Sequence, residues 1–142
     1  MKTLFQKSIC AVLVLVCLLG LTACGNTVNS EGLWKDATYL KDTTFGEGKN
    51  TVTVEVKAGE QSIKFTVNTD KDTVGAALME HKLIDGDQGD YGLYVKKVNG
   101  ITADYDTDKA YWAFYVDDAY ANAGIDQTKI EKDKLYRLEY AK

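Results

Sequence analysis

From Thr51 the chain alternates apolar and polar residues. Val52, Val54 and Val56 are interleaved with Thr51, Thr53, Glu55 and Lys57. A period of two belongs to a strand, because successive side chains point to opposite faces. After Ala58-Gly59-Glu60 the alternation resumes, with Ile63, Phe65 and Val67 set between Ser62, Lys64 and Thr66. Two such runs about a glycine turn predict a β-hairpin. Asp70-Lys71-Asp72-Thr73 then supplies N-cap side chains. Val74, Ala77, Leu78 and His81 follow at helical spacing, flanked by Ala76 and Met79. Gly86 and Gly89 are expected to end the helical region. Residues 91–98 predict a third strand, closed by the tight-turn dipeptide Asn99-Gly100. Residues 110–116 predict a fourth, dense in aromatics and turned by Asp117-Asp118. In the last, residues 135–140, Tyr136, Leu138 and Tyr140 share one face; Leu135, Arg137 and Glu139 share the other. This order implies the α+β class: a small β-grasp-like roll, a mixed sheet of about five strands packed on one helix, which buries both apolar faces.

Before Thr51 the pattern is different. Residues 25–50 are polar and punctuated by Gly32, Gly46 and Gly48, with a small apolar cluster at Leu33, Trp34, Tyr39 and Leu40. They predict a tether. Trp34 has two readings: it docks on the domain or the membrane interface, or it belongs to a ligand lid. Further back, residues 9–19 form an uncharged apolar run behind Lys2 and Lys7. The run has signal-peptide length and falls short of the roughly 18–20 residues of a spanning helix. Leu21-Thr22-Ala23-Cys24 resembles a bacterial lipobox, cut just before the cysteine; the alternative is an uncleaved membrane anchor. The expected division is a signal peptide at 1–23, a lipidated tether at 24–50 and a domain at 51–142. Cys24 would carry a diacylglyceryl group, whose two chains suffice for stable anchoring. The expected location is the extracytoplasmic face of the cell membrane. Cys10 and Cys17 would leave with the signal peptide, so the mature domain has no disulfide to lean on.

Charge and composition narrow the function. The chain has 17 basic and 21 acidic residues. Lys2 and Lys7 lie in the leader, which leaves 15 basic against 21 acidic and a net charge of −6. Such a balance argues against nucleic acid as a partner, since phosphate binding needs a basic face. The absence of proline removes proline-rich peptide readings. One histidine and three serines (Ser8, Ser30, Ser62) leave little material for nucleophilic catalysis, and no enzyme is expected.

Three segments together resemble the C-terminal domain of the vitamin B12 carriers transcobalamin and intrinsic factor, and a bacterial lipoprotein family built on that domain. The first is Thr73-Val74-Gly75-Ala76-Ala77-Leu78-Met79. The second is Tyr91-Gly92-Leu93-Tyr94-Val95-Lys96-Lys97-Val98-Asn99-Gly100-Ile101. The third is Tyr111-Trp112-Ala113-Phe114-Tyr115-Val116, followed by Ala123-Gly124-Ile125 and the closing strand. The resemblance covers residues 51–142. It implies a domain that presents loops and aromatic side chains to one face of a corrin ring. In the animal carriers a helical domain covers the other face. This chain would supply one face only, unless a partner or a second copy closes the site.

The candidate ligand-binding residues are Tyr91, Tyr94, Tyr111, Trp112, Tyr115, Tyr120 and Asn122. If Trp112 and Phe114 face the core, Tyr111 and Tyr115 face outward, or the reverse. Either way the strand shows aromatics the core does not consume, and these suit a flat ring edged with amides. The plainer account is that tyrosines cover a half-buried sheet. Tyr120 and Asn122 lie where the resemblance places ligand contacts. No cofactor is required; cobalamin or a related corrinoid is the expected ligand and a vitamin-uptake transporter the expected partner. The alternative is a surface protein-interaction or adhesion module without a small ligand. His81 reads as a half-exposed helix histidine rather than an axial metal ligand. Asp104, Asp106 and Asp108, and separately Asp85, Asp87 and Asp90, read as solvated turn acids, because neither group has the closing carboxylate of a calcium loop.

Overall fold

A computed structural model describes residues 25–142. The signal-peptide run and Cys24 lie outside the described residues. Among those described, no helix is long and apolar enough to cross a membrane. A 3-10 turn (Gly32–Trp34) comes first, then β1 (Thr43–Phe45), β2 (Asn50–Ala58) and β3 (Gln61–Thr69). Helix α1 (Val74–Glu80) leads to β4 (Ile84–Gly89), β5 (Gly92–Val98) and β6 (Ile101–Thr102). The short helix α2 (Tyr105–Asp108) precedes β7 (Tyr111–Val116), β8 (Ala119–Tyr120) and β9 (Tyr136–Ala141).

The strands form two sheets. One is six-stranded in the order β1-β3-β2-β9-β7-β8; the other is three-stranded, β4-β5-β6. The large sheet is mixed: β1 runs parallel to β3 and β2 parallel to β9, while β2–β3 and β7–β9 are antiparallel. This is the expected α+β roll on one main helix. The alternation becomes burial directly: Val52, Val54, Val56, Ile63, Phe65 and Val67 are all buried on one face. Val74, Ala77 and Leu78 of α1 join them in one core with Val95, Val98, Trp112, Tyr136 and Leu138.

Helix α1 begins as its cap residue predicts. Thr73 Oγ1 accepts from the Ala76 amide at 3.3 Å. The Val74 and Gly75 amides, which have no partner within the helix, donate to the carbonyls of Thr128 and Ile125, each at 2.9 Å. The helix is thereby bonded to the loop before β9. His81 caps its C-terminus. Its Nε2 is buried without a hydrogen-bond partner and lies 3.8 Å from Glu80 Oε2.

Two features depart from the sequence reading. First, Gly86 and Gly89 do not end a helix; they belong to β4, which pairs antiparallel with β5. A bulge falls between Asp85 and Gly86, and a Cβ at Gly86 would run into the Tyr94 carbonyl. Glycine serves close approach of two strands there. Second, much of the stretch read as a tether packs on the domain. Trp34 is 2% exposed, and its Nε1 donates to the Ala58 carbonyl at 3.0 Å. Tyr39, Phe45 and Phe65 meet edge to face with centroids 5.1 to 5.8 Å apart. The buried Asn99 amide holds Tyr39 at both ends: Nδ2 donates to the Tyr39 carbonyl at 2.8 Å and Oδ1 accepts from the Tyr39 amide at 2.9 Å. Asp117 and Asp118 make the turn expected of them, between β7 and β8, and both take positive φ, 49° and 65°. Asp117 accepts from the Leu135 amide and from Lys134, which hold its carboxyl below the ordinary value of 3.8.

Candidate functional site

The two sheets leave a cleft of about 510 Å³ where β5 lies beside β7. Strand β7 supplies its floor. Trp112 pairs with Tyr140 and Phe114 with Leu138, so register with β9 sends Trp112 and Phe114 inward. Trp112 is 6% exposed and its Nε1 donates to the Ile101 carbonyl at 3.2 Å. That bond anchors the indole while one side still lines the cleft. The β4–β5 hairpin forms one wall with Asp90, Tyr91, Leu93 and Tyr94; residues 120–125 and Gln127 form the other.

Of the predicted ligand residues, Tyr91, Tyr94, Tyr111, Trp112, Tyr120 and Asn122 all line this cleft. Tyr91 is 93% exposed at the hairpin tip. Tyr115 does not join them. It projects from the opposite face of the sheet, where the Arg137 guanidinium lies 4.6 Å from its ring centroid. Alternation along β7 turns Tyr115 away from the face that Phe114 shares with the core, whereas Tyr111, of the same parity, reaches the cleft from the first position of the strand. Tyr115 still touches the site indirectly, edge-on to Tyr120 at 5.5 Å. Beyond residues 120–123 lies a second hollow of about 570 Å³, lined in part by Gln127, Thr128, Lys129 and Glu131.

Two groups escaped the sequence reading. Gln127 adds an amide to the cleft. Asp126 lies behind it and joins the two walls. Its Oδ1 accepts from the Leu93 amide at 3.0 Å, and its Oδ2 accepts from Gln88 Nε2 at 3.4 Å. A Cβ at Gly92, where φ is +110°, would come within 2.7 Å of Asp126 Oδ1, and one at Gly124 within 2.9 Å. Both glycines make room for this carboxylate. The only local signal was the coincidence of Gly92, Gly124 and a nearby acid, far apart along the chain. Asp126→Ala is expected to free the hairpin: the Leu93 amide should exchange with solvent at least tenfold faster, from loss of about 1.5–3 kcal/mol of charge-assisted bonding. Amides of β2 and β9 should keep their protection. Equal protection of Leu93 in the variant would show that Asp126 does not hold the hairpin.

The acidic runs serve the backbone. Asp104 caps α2, accepting from the Asp106 and Thr107 amides at 2.9 and 3.4 Å. Asp85 accepts from the Gly86 amide, and Asp87 pairs with Lys96. Among the described residues, no three His, Cys, Asp or Glu side chains converge on a point that could hold a metal ion.

The fold and the cleft define a class: a small α+β domain with a one-sided, aromatic-lined cleft between two sheets. Residues 71–136 match the family model described as Domain of unknown function (DUF4430). A proposed metal-binding protein from Ruminococcus gnavus is similar over 66% of this chain and 98% of its own, with 28% identity and a TM-score of 0.62. Haptocorrin, solved in complex with Cbi, is similar in fold over 69% of this chain, with 12% identity and a TM-score of 0.53. This chain spans 26% of that haptocorrin chain. No curated protein sequence matches this one. Residues 71–136 are thus similar to the DUF4430 model, and the fold is similar to part of haptocorrin.

Proposed function

We propose that this protein is a membrane-anchored, extracytoplasmic lipoprotein that binds a corrinoid such as cobalamin and hands it to an uptake transporter without transforming it. The observation that carries the reading is the cleft of about 510 Å³, in which four tyrosines and Trp112 surround a surface edged by Asn122 and Gln127. Ring faces offer stacking to a flat apolar macrocycle, and phenols and amides offer hydrogen bonds to its amide fringe. The likeness in fold to haptocorrin supports the same ligand class. The lipobox ending at Cys24 supports the anchor.

Trp112 is a built-in reporter on the cleft floor. Titrating the purified protein with cyanocobalamin is expected to quench tryptophan emission saturably, with matching calorimetric heat. No binding at ligand concentrations of about 100 µM, or about 5 kcal/mol of affinity, would sink the reading. A stable protein partner captured from membranes, indifferent to added corrinoid, would favour an interaction module instead.

A further inference from the structure

The polar groups around the cleft are of uneven sign. Asn122 and Gln127 are amides, the tyrosines present phenols, and Asp90 is the only Asp, Glu, Lys or Arg in the lining. No lysine or arginine lines it, although the described chain has fifteen of them. The basic groups on neighbouring elements lie outside the lining. Lys96 pairs with Asp87, and Lys109 Nζ lies 5.1 Å from the Tyr105 ring centroid. Arg137 stacks on Tyr115 on the far face and pairs with Asp118. Lys129 lines the second hollow, beyond residues 120–123.

We propose that the cleft selects its ligand by charge: it accepts a flat ring edged with uncharged amides or bearing positive charge, and refuses the same ring edged with carboxylates, with Asp90 as the specificity-determining residue. This deepens the corrinoid reading and rests on it. The physical reasons act together. An anionic edge would leave water without gaining a cation to pair with. It would meet aromatic faces, whose quadrupole is negative and attracts cations rather than anions. It would also approach Asp90 at the exposed hairpin tip, in a protein whose residues 25–142 carry a net charge of −6. An amide edge incurs none of these costs and finds acceptors and donors in Asn122, Gln127 and the phenols.

The test compares two corrinoids with one ring. Dicyanocobinamide presents amides at its edge; dicyanocobyrinic acid presents carboxylates. Calorimetry on the purified protein at neutral pH and low salt should show cobinamide binding at least tenfold more tightly. Asp90→Lys should narrow the ratio below threefold, chiefly by strengthening the carboxylate ligand, and 1 M salt should narrow it in the unaltered protein. Asp90→Asn should fall between. Equal affinities for the two ligands would overturn the charge selection and leave the corrinoid reading standing. A ratio unmoved by Asp90→Lys would remove Asp90 from that role and overturn the assignment. Failure of both ligands to bind would overturn the corrinoid reading, and this inference with it.

Discussion

Replacing Trp34 with alanine is expected to lower the stability of the domain by about 3–5 kcal/mol, the usual cost of emptying a buried indole site. The indole is 2% exposed, and its Nε1 satisfies the Ala58 carbonyl at the end of β2. The substitution therefore opens a cavity and strands an acceptor at the β2–β3 turn. Neighbouring bonds would loosen with it: the Asn29 amide donates to Gln61 Oε1 at 2.9 Å, and the Val28 amide to the Leu40 carbonyl at 2.8 Å. Urea denaturation measures the effect as a fall in midpoint at unchanged slope. Leu33→Ala is the control, since Leu33 is 38% exposed beside Trp34 and should cost no more than about 1 kcal/mol. A loss below about 1 kcal/mol for Trp34→Ala would mean that the segment before β1 is dispensable to the core.

The second large effect separates the floor of the cleft from its rim. Trp112→Ala should remove about 3–5 kcal/mol of stability and abolish cyanocobalamin binding, because the same indole fills the core and lines the cleft. Tyr91→Ala should leave stability within about 0.5 kcal/mol, because that side chain touches little else. It should weaken cyanocobalamin binding about five- to tenfold, the worth of one aromatic contact. Tyr115→Ala, on the opposite face, should leave affinity unchanged. Denaturation and calorimetry on the three variants check all of this. If Tyr91→Ala and Tyr115→Ala had equal affinity for cyanocobalamin, the ligand would not lie against the hairpin.

Part of the candidate site was legible along the chain. The aromatic density of β7 marked it, and six of the seven residues named from sequence line one cleft. What stayed hidden depends on contacts between distant segments. Asp126 looks like any loop acid until Leu93, thirty-three positions earlier, donates to it. Strand β4 has no period of two to read, because Asp85, Asp87, Gln88 and Gly89 are all exposed. Only its pairing with β5 makes it a strand.

By itself, the sequence determined what short-range physics dictates: the β2–β3 hairpin through alternation, the start of α1 through Thr73, and the Asn99-Gly100 turn. It also determined that β7 must turn Trp112 and Phe114 one way and Tyr111 and Tyr115 the other. Tertiary structure decided which way. The pairing of Trp112 with Tyr140 and Phe114 with Leu138 turned the first pair toward the core. Tertiary structure also drew the stretch before β1 onto the core, where burial of Trp34 outweighs the freedom of a polar chain. Strand alternation is symmetric between the two faces of a sheet; only the elements that come to lie on one of them break that symmetry.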